Sequence, residues 1–143
     1  MLLVHGTTVE IAGQGVLIRG PSGSGKSDLA LRLIDGGAWL VADDQTGLSP
    51  QAGRIVARAP DTIAGLLEVR GLGIVTVPHR AWAPLALVID LVDEDRVERL
   101  PKAELTEFLG ISVPRMALSP FQVSAAAKVR LAIASATRDI IRS

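Results

Sequence analysis

Residues 20–27 read Gly20-Pro21-Ser22-Gly23-Ser24-Gly25-Lys26-Ser27, a complete G-x-x-x-x-G-K-[ST] stretch. It follows the apolar run Val16-Leu17-Ile18 and precedes a helical pattern, which is the setting that a phosphate-binding loop requires. The residue types suit that chemistry. Gly20, Gly23 and Gly25 let the backbone bend until several N–H groups converge on one point, and the positive end of the following helix adds to them. Lys26 can reach the terminal phosphates of a nucleotide, and the Ser27 hydroxyl can ligate Mg²⁺. The expected nucleotide-binding residues are Gly20, Pro21, Ser22, Gly23, Ser24, Gly25, Lys26, Ser27 and Asp28.

Working outward, the chain alternates strands and helices. Thr7–Ile11 has β alternation, Gly13-Gln14-Gly15 turns, and Val16–Arg19 returns, a hairpin feeding the loop. Lys26–Asp35 places Leu29 and Leu33 on one helical face, and Gly36-Gly37 ends it. Trp39–Ala42 is a short strand that runs into Asp43-Asp44. Gly47–Leu48 and Arg54–Arg58 flank a turn as a second hairpin. Pro60-Asp61 starts a short helix through Leu66. Ile74–Val77 and Leu85–Val92 follow as strands, the second apolar enough to be central in a sheet. Ile111–Leu118 is a weaker strand whose Pro114 suits an edge. From Gln122 to Arg142 the pattern is helical, with Val129, Ile133, Ala136 and Ile140 on one stripe. Together these predict an α/β fold in one domain over residues 1–143, a mixed sheet with flanking helices.

Composition narrows the function classes. At 143 residues, 48% of them hydrophobic, the chain can bury a real core and is not globally disordered. Lys+Arg and Asp+Glu balance at 15 each without a basic stretch, so neither nucleic acid nor an anionic membrane has an electrostatic claim as main partner. The absence of cysteine excludes a disulfide framework, a thiolate metal site and a cysteine nucleophile. The start Met1-Leu2-Leu3-Val4 lacks a basic lead and is too short for a signal segment, and no apolar run reaches spanning length. A cytoplasmic protein is the expectation.

A phosphate loop specifies nucleotide but not reaction. Phosphoryl transfer needs an acidic group near the metal and often a base near the incoming hydroxyl. Two apolar strands end in one: Trp39-Leu40-Val41-Ala42-Asp43-Asp44, and Leu87-Val88-Ile89-Asp90 with Asp93, Glu94 and Asp95 beyond. Pattern alone does not choose between them.

Four pieces, in order across residues 5–77, resemble the HPr kinase/phosphorylase family: His5-Gly6, the phosphate loop, Leu40-Val41-Ala42-Asp43-Asp44, and Leu66-Leu67-Glu68-Val69-Arg70-Gly71-Leu72-Gly73-Ile74. The last is similar to that family's signature stretch and is more discriminating than the loop. The resemblance implies a phosphoenolpyruvate-carboxykinase-like P-loop domain that uses ATP and Mg²⁺. It implies phosphorylation of a serine on HPr, the small phosphocarrier of the sugar phosphotransferase system. Asp43 matches the family's general base, which would act as acid in the reverse phosphorolysis. Asp44 matches its acidic neighbour and Glu68 the signature glutamate, both near the metal beside Ser27. Arg70 matches an arginine that meets phosphate charge, and His5 a histidine close to the reacting phosphoryl group. Under this resemblance Asp90 is not the catalytic acid, and His79 and Trp82 are surface or rim residues.

The chain also departs from the family. The N-terminal domain of typical members is expected to be absent, as in short members. Ser119-Pro120-Phe121-Gln122 stands where a Pro-Gly-Arg-Asn stretch is usual, and the segment between Gly73 and Ala86 is short. These departures weaken the carry-over of phosphorolysis, hexamer assembly and metabolite regulation, and leave a homo-oligomer open. Two other readings stand beside the kinase of HPr. One is a small-molecule kinase, for which Arg96 and Arg99 are a thin basic lid. The other is a non-catalytic nucleotide-dependent switch.

Overall fold

The longest strand, Trp82–Leu91, organises the molecule. The structure, a computed structural model, describes residues 1–138, with side chains through Ser135. Eleven strands and two helices follow one another there: β1 (Leu2–His5), β2 (Thr7–Ile11), β3 (Gln14–Arg19), α1 (Lys26–Asp35), β4 (Trp39–Ala42), β5 (Gln45–Gln51), β6 (Arg54–Arg58), β7 (Leu66–Val69), β8 (Gly73–Thr76), β9 (Trp82–Leu91), β10 (Glu104–Phe108), β11 (Ile111–Leu118) and α2 (Ala125–Arg138).

Strand β9 is central, as its apolar run predicts. One edge pairs in parallel with β3, from Gly15↔Leu85 to Arg19↔Asp90. The other edge is shared: its start pairs antiparallel with β6 and its end parallel with β11. The sheet runs β1-β5-β6-β9-β3-β2-β4, with β11 and β10 attached at β9. Because β3 and β9 are parallel neighbours buried on both faces, they carry apolar residues almost without interruption. Val16, Ile18, Leu87 and Ile89 pack under Leu29 and Leu33 of α1 and Val129 and Ile133 of α2. Leu17, Val88, Val41, Leu48, Ile55 and Phe108 fill the opposite side, where the curled sheet closes on itself.

Three expectations are corrected. Strand β11 is not an edge: it pairs with β10 from Glu104↔Arg115 to Phe108↔Ile111, and with β9 from Arg115↔Val88 onward. Pro114 is tolerated because the two-residue turn Leu109-Gly110, both at positive φ (52° and 80°), puts it at a position whose N–H faces away from β10. The parallel ladder to β9 begins only one residue later. The helix expected from Pro60 shrinks to a single 3-10 turn at Asp61–Ile63, and Leu66 already begins β7. Strands β1 and β10 have no counterpart in the sequence reading. The C-terminal helix extends at least to Arg138, with Val129 and Ile133 buried as its stripe predicts. Ala136 and Ile140 of that stripe lie outside the residues whose side chains are described.

Strands β7 and β8 form a separate two-stranded arm, Leu66↔Thr76 to Val69↔Gly73, set against α1 and β4. Three pieces thereby meet: the β3–α1 loop, the β4–β5 turn and the arm.

Candidate functional site

The β3–α1 loop wraps around the start of α1. Gly25 caps the helix with φ 100°, a left-handed conformation that glycine adopts at no steric cost. A Cβ there would lie 3.2 Å from Pro120 Cβ and 3.3 Å from the Phe121 ring. The first intrahelical bond runs from Leu29 N–H to Gly25 O at 2.9 Å. The N–H groups of Lys26, Ser27 and Asp28 therefore have no acceptor within the helix and sit at its positive end. Lys26 is 6% exposed, and its ammonium donates to the carbonyls of Gly20 (2.9 Å) and Pro21 (3.1 Å). Ser24 Oγ is buried and has no hydrogen-bond partner among the described residues, an orphaned polar atom inside the loop. Orphan N–H donors, a buried ammonium and an unsatisfied hydroxyl around one loop make a site suited to an anion.

The acidic wall comes from the β4–β5 turn. Asp44 takes φ 66°, a conformation that Asp tolerates better than most residues. The reversal sends neighbouring carboxylates opposite ways. Asp43 turns inward and is 7% exposed: Oδ1 accepts from Thr7 Oγ1 (2.9 Å) and Ser27 Oγ (2.8 Å), and Oδ2 accepts from the Glu68 N–H (3.0 Å). Asp44 points to solvent, with Oδ1 3.0 Å from His5 Nε2, while its N–H donates to Thr7 Oγ1 at 3.3 Å. One carboxylate thus ties together β2, α1 and the arm. Its partners lie 36, 16 and 25 positions away in the chain.

A cleft of about 760 Å³ lies between these pieces. The loop and α1 line it with Ser22, Gly23, Gly25, Lys26, Ser27 and Asp28, and the acidic side adds Asp43, Asp44, Glu68 and Arg70. Against this geometry, the family model for the HPr Serine kinase C-terminal domain matches residues 1–142. The chain belongs to this family. A relative named HPr kinase/phosphorylase from Bordetella pertussis is 39% identical over 150 residues, covering 96% of this chain and 48% of that protein. One of the same name from Malacoplasma penetrans is 37% identical over 123 residues, 78% of this chain and 41% of that protein. The solved structure described as the Hpr(Ser) kinase/phosphatase from Coxiella burnetii superposes with a TM-score of 0.80 at 28% identity, over 94% of this chain and 99% of that one. The chain spans about half the length of the curated relatives it matches.

Within the HPr kinase fold, the residues singled out in the sequence divide into three groups. Ser22, Gly23, Gly25, Lys26, Ser27, Asp28, Asp43, Asp44, Glu68 and Arg70 line the cleft. Gly20, Pro21 and Ser24 lie behind it in the loop, two of them as acceptors for Lys26. His5 reaches the cleft only through Asp44. Glu68 and Arg70 do not share a strand face, because β7 ends at Val69 and Arg70 opens the turn to β8. Among the described residues no ion pair joins them, and no group of three or more His, Asp or Glu forms a ready-made metal cage. The carboxylate on Ser27 belongs to Asp43, not to Asp44 or Glu68.

Asp90 is engaged elsewhere. Arg19 grips it with two bonds, Nε to Oδ1 at 2.8 Å and Nη2 to Oδ2 at 2.9 Å; Arg115 donates to Oδ2 through Nε, and its Nη1 pairs with Glu104 at 3.1 Å. Burial by itself raises the Asp90 pKa, but the hydrogen bonds and charges of Arg19 and Arg115 outweigh it and hold the carboxyl below the ordinary 3.8. His79 and Trp82 are exposed, as expected. The sequence reading missed Thr7, whose hydroxyl links Asp43 and Asp44; a threonine on an alternating strand carries no signal of that kind.

Proposed function

We propose that the chain is an ATP- and Mg²⁺-dependent protein kinase that phosphorylates a serine of HPr, with residues 1–143 forming one P-loop catalytic domain of the phosphoenolpyruvate-carboxykinase-like class that works in the cytoplasm. The observation that carries this reading is the hydrogen bond from Ser27 Oγ to Asp43 Oδ1 at 2.8 Å, which joins the nucleotide-loop hydroxyl to the matching general base in one cleft. Family membership supports the acceptor, and the relatives' names supply it.

The residues would act as follows. The N–H groups of Lys26, Ser27 and Asp28 receive the nucleotide's phosphates, and the Lys26 ammonium exchanges loop carbonyls for phosphate oxygens. By donating its proton to Asp43, Ser27 keeps its oxygen lone pairs for a metal, and Asp44 and Glu68 add carboxylate oxygens on the same cleft. These are hard oxygen donors of the kind Mg²⁺ takes alongside phosphates and water. When bound, Mg²⁺ neutralises charge on the β- and γ-phosphate oxygens. Asp43 Oδ2, whose one partner among the described residues is the Glu68 N–H, receives the serine proton. As that proton leaves, the serine Oγ–P bond forms, and the P–O bond to the ADP leaving group breaks with its electron pair on ADP. Arg70 meets the equatorial phosphoryl charge, and His5 orients Asp44 at the rim.

The test is transfer of labelled γ-phosphate from Mg-ATP to HPr, beside HPr with its target serine replaced by alanine. Label on the first alone supports the kinase. Label on neither, with nucleotide binding intact, overturns HPr as acceptor.

A further inference from the structure

The walls of the cleft differ in chemistry. Acidic and basic groups come from the β4–β5 turn and the arm, whereas Leu31 and Phe121 bring apolar surface beside the first turns of α1. Leu31 lies one helical turn beyond Ser27. The Phe121 ring lies 3.3 Å from where a Gly25 Cβ would stand.

Phe121 is presented in an unusual way. Leu118, Ser119 and Pro120 are buried, yet the next residue, a phenylalanine, is 76% exposed. The Arg32 guanidinium donates to the carbonyl of Pro120 and, at 3.4 Å, to that of Gln122, clamping the chain on both sides of the ring. Asp28 Oδ2, 3.2 Å from Arg32 Nη2, holds the clamp to the first turn of α1. The Gln122 side chain is also committed: its amide donates to Glu94 at 3.1 Å, and its oxygen accepts from Lys128 at 2.8 Å. An aromatic face is thus fixed in water next to a loop built for phosphate.

We propose that Phe121, with Leu31 beside it, is the platform on which the base of the bound nucleotide stacks. The inference rests on the nucleotide-loop reading above and adds the position and selectivity of the base. With phosphates held on the N–H groups of residues 26–28, the nucleoside lies within reach of the apolar pair next to the same helical turn. Stacking covers the exposed ring, and it tolerates any base because every base offers a π-face. The amide of Gln122 beside the ring is turned to Glu94 and Lys128 rather than to a base edge, and stacking itself sets no preference between purines. Adenine and guanine nucleotides then bind alike.

Isothermal titration of the whole chain in Mg²⁺ with ATP, GTP and inorganic tripolyphosphate tests this. Phe121→Ala should weaken ATP and GTP about 5- to 150-fold, the span of one base–aromatic contact, and leave tripolyphosphate within about twofold. Phe121→Trp should restore nucleotide affinity. Unchanged ATP affinity in Phe121→Ala, an equal loss for tripolyphosphate, or strong preference for one purine would overturn the platform while leaving the phosphate loop standing. A raised KM for the acceptor protein with nucleotide affinity intact would assign the ring to protein docking and overturn it too. Failure of the parent chain to bind either tripolyphosphate or ATP would sink the loop reading itself, and the platform with it.

Discussion

Replacing Asp90 by Asn separates two roles that look the same in sequence. At the end of an apolar strand beside the loop strand, Asp90 has the pattern of a metal-side aspartate; in the structure it holds Arg19 and Arg115 together. Asparagine keeps the shape and one acceptor oxygen, but its NH₂ faces guanidinium donors. With that oxygen in the Oδ2 place, the Arg19 Nε bond is lost, and the bonds from Arg19 Nη2 and Arg115 Nε keep a neutral acceptor where they had a charged one; a bond to a charged group is worth about 1.5–3 kcal/mol, against about 0.5–1.5 kcal/mol for a neutral one. The side chains of Asp90, Arg19 and Arg115 are 21%, 28% and 25% exposed, so water recovers part of this. The net cost is about 2–3 kcal/mol, or roughly 6–12 °C in Tm for a chain of this length. Its pH dependence has a definite sign. Because the folded pKa lies below 3.8, the contribution is fully present above that value and is lost as pH falls through the folded pKa. Urea unfolding followed by the fluorescence of Trp39 and Trp82 should show a constant gap between parent and variant from about pH 7 to pH 5, narrowing by about pH 3. Nucleotide titration in Mg²⁺ should give nearly equal affinities. A variant with parental stability but no Mg²⁺-dependent nucleotide binding would refute the reasoning and return Asp90 to the metal.

Other perturbations address the cleft directly. Lys26→Ala should reduce Mg-ATP affinity about 10- to 100-fold by calorimetry, since a charge-assisted phosphate contact disappears. Asp43→Asn should retain nucleotide affinity but cut phosphoryl transfer about 10²- to 10⁴-fold in a steady-state assay. Equal losses of binding and turnover would count against a base. The same variant should lose about 1 kcal/mol in urea, because its oxygen keeps the Glu68 N–H while its NH₂ replaces the charged acceptor of the Thr7 and Ser27 hydroxyls. Gly25→Ala must hold φ 100° with a Cβ pressed on Pro120; about 1–2 kcal/mol of lost stability and weakened nucleotide binding are expected in thermal-shift titrations.

Much of the fold was legible where the signal is local. The limits of α1, Lys26–Asp35, follow from its periodicity and Gly36-Gly37, and the β2–β3 hairpin from alternation around a glycine turn. The central place of β9 follows from its unbroken apolar run. What local pattern could not reveal was pairing. Strand β1 is short and exposed, and exists through its register with β5, Leu2↔Leu48 to His5↔Gln45. Strand β10, Glu-Leu-Thr-Glu-Phe, owes its conformation to the hairpin with β11, which in turn makes β11 an interior strand despite Pro114.

For the site, residues 20–28 were legible in sequence alone, because glycine placement and the Lys-Ser dipeptide are chemical statements independent of fold, whereas Asp43-Asp44 and Asp90 were equal by pattern and only the family resemblance favoured the pair. The tertiary structure decided which carboxylate serves which group. The left-handed turn at Asp44 sends Asp43 inward to Ser27 and Asp44 outward to His5, and the arginine pair removes Asp90 from contention. Hydrogen bonds between side chains depend on direction within a few tenths of an ångström, and residues 16 to 71 positions apart acquire that direction only when the sheet has curled and the arm has docked.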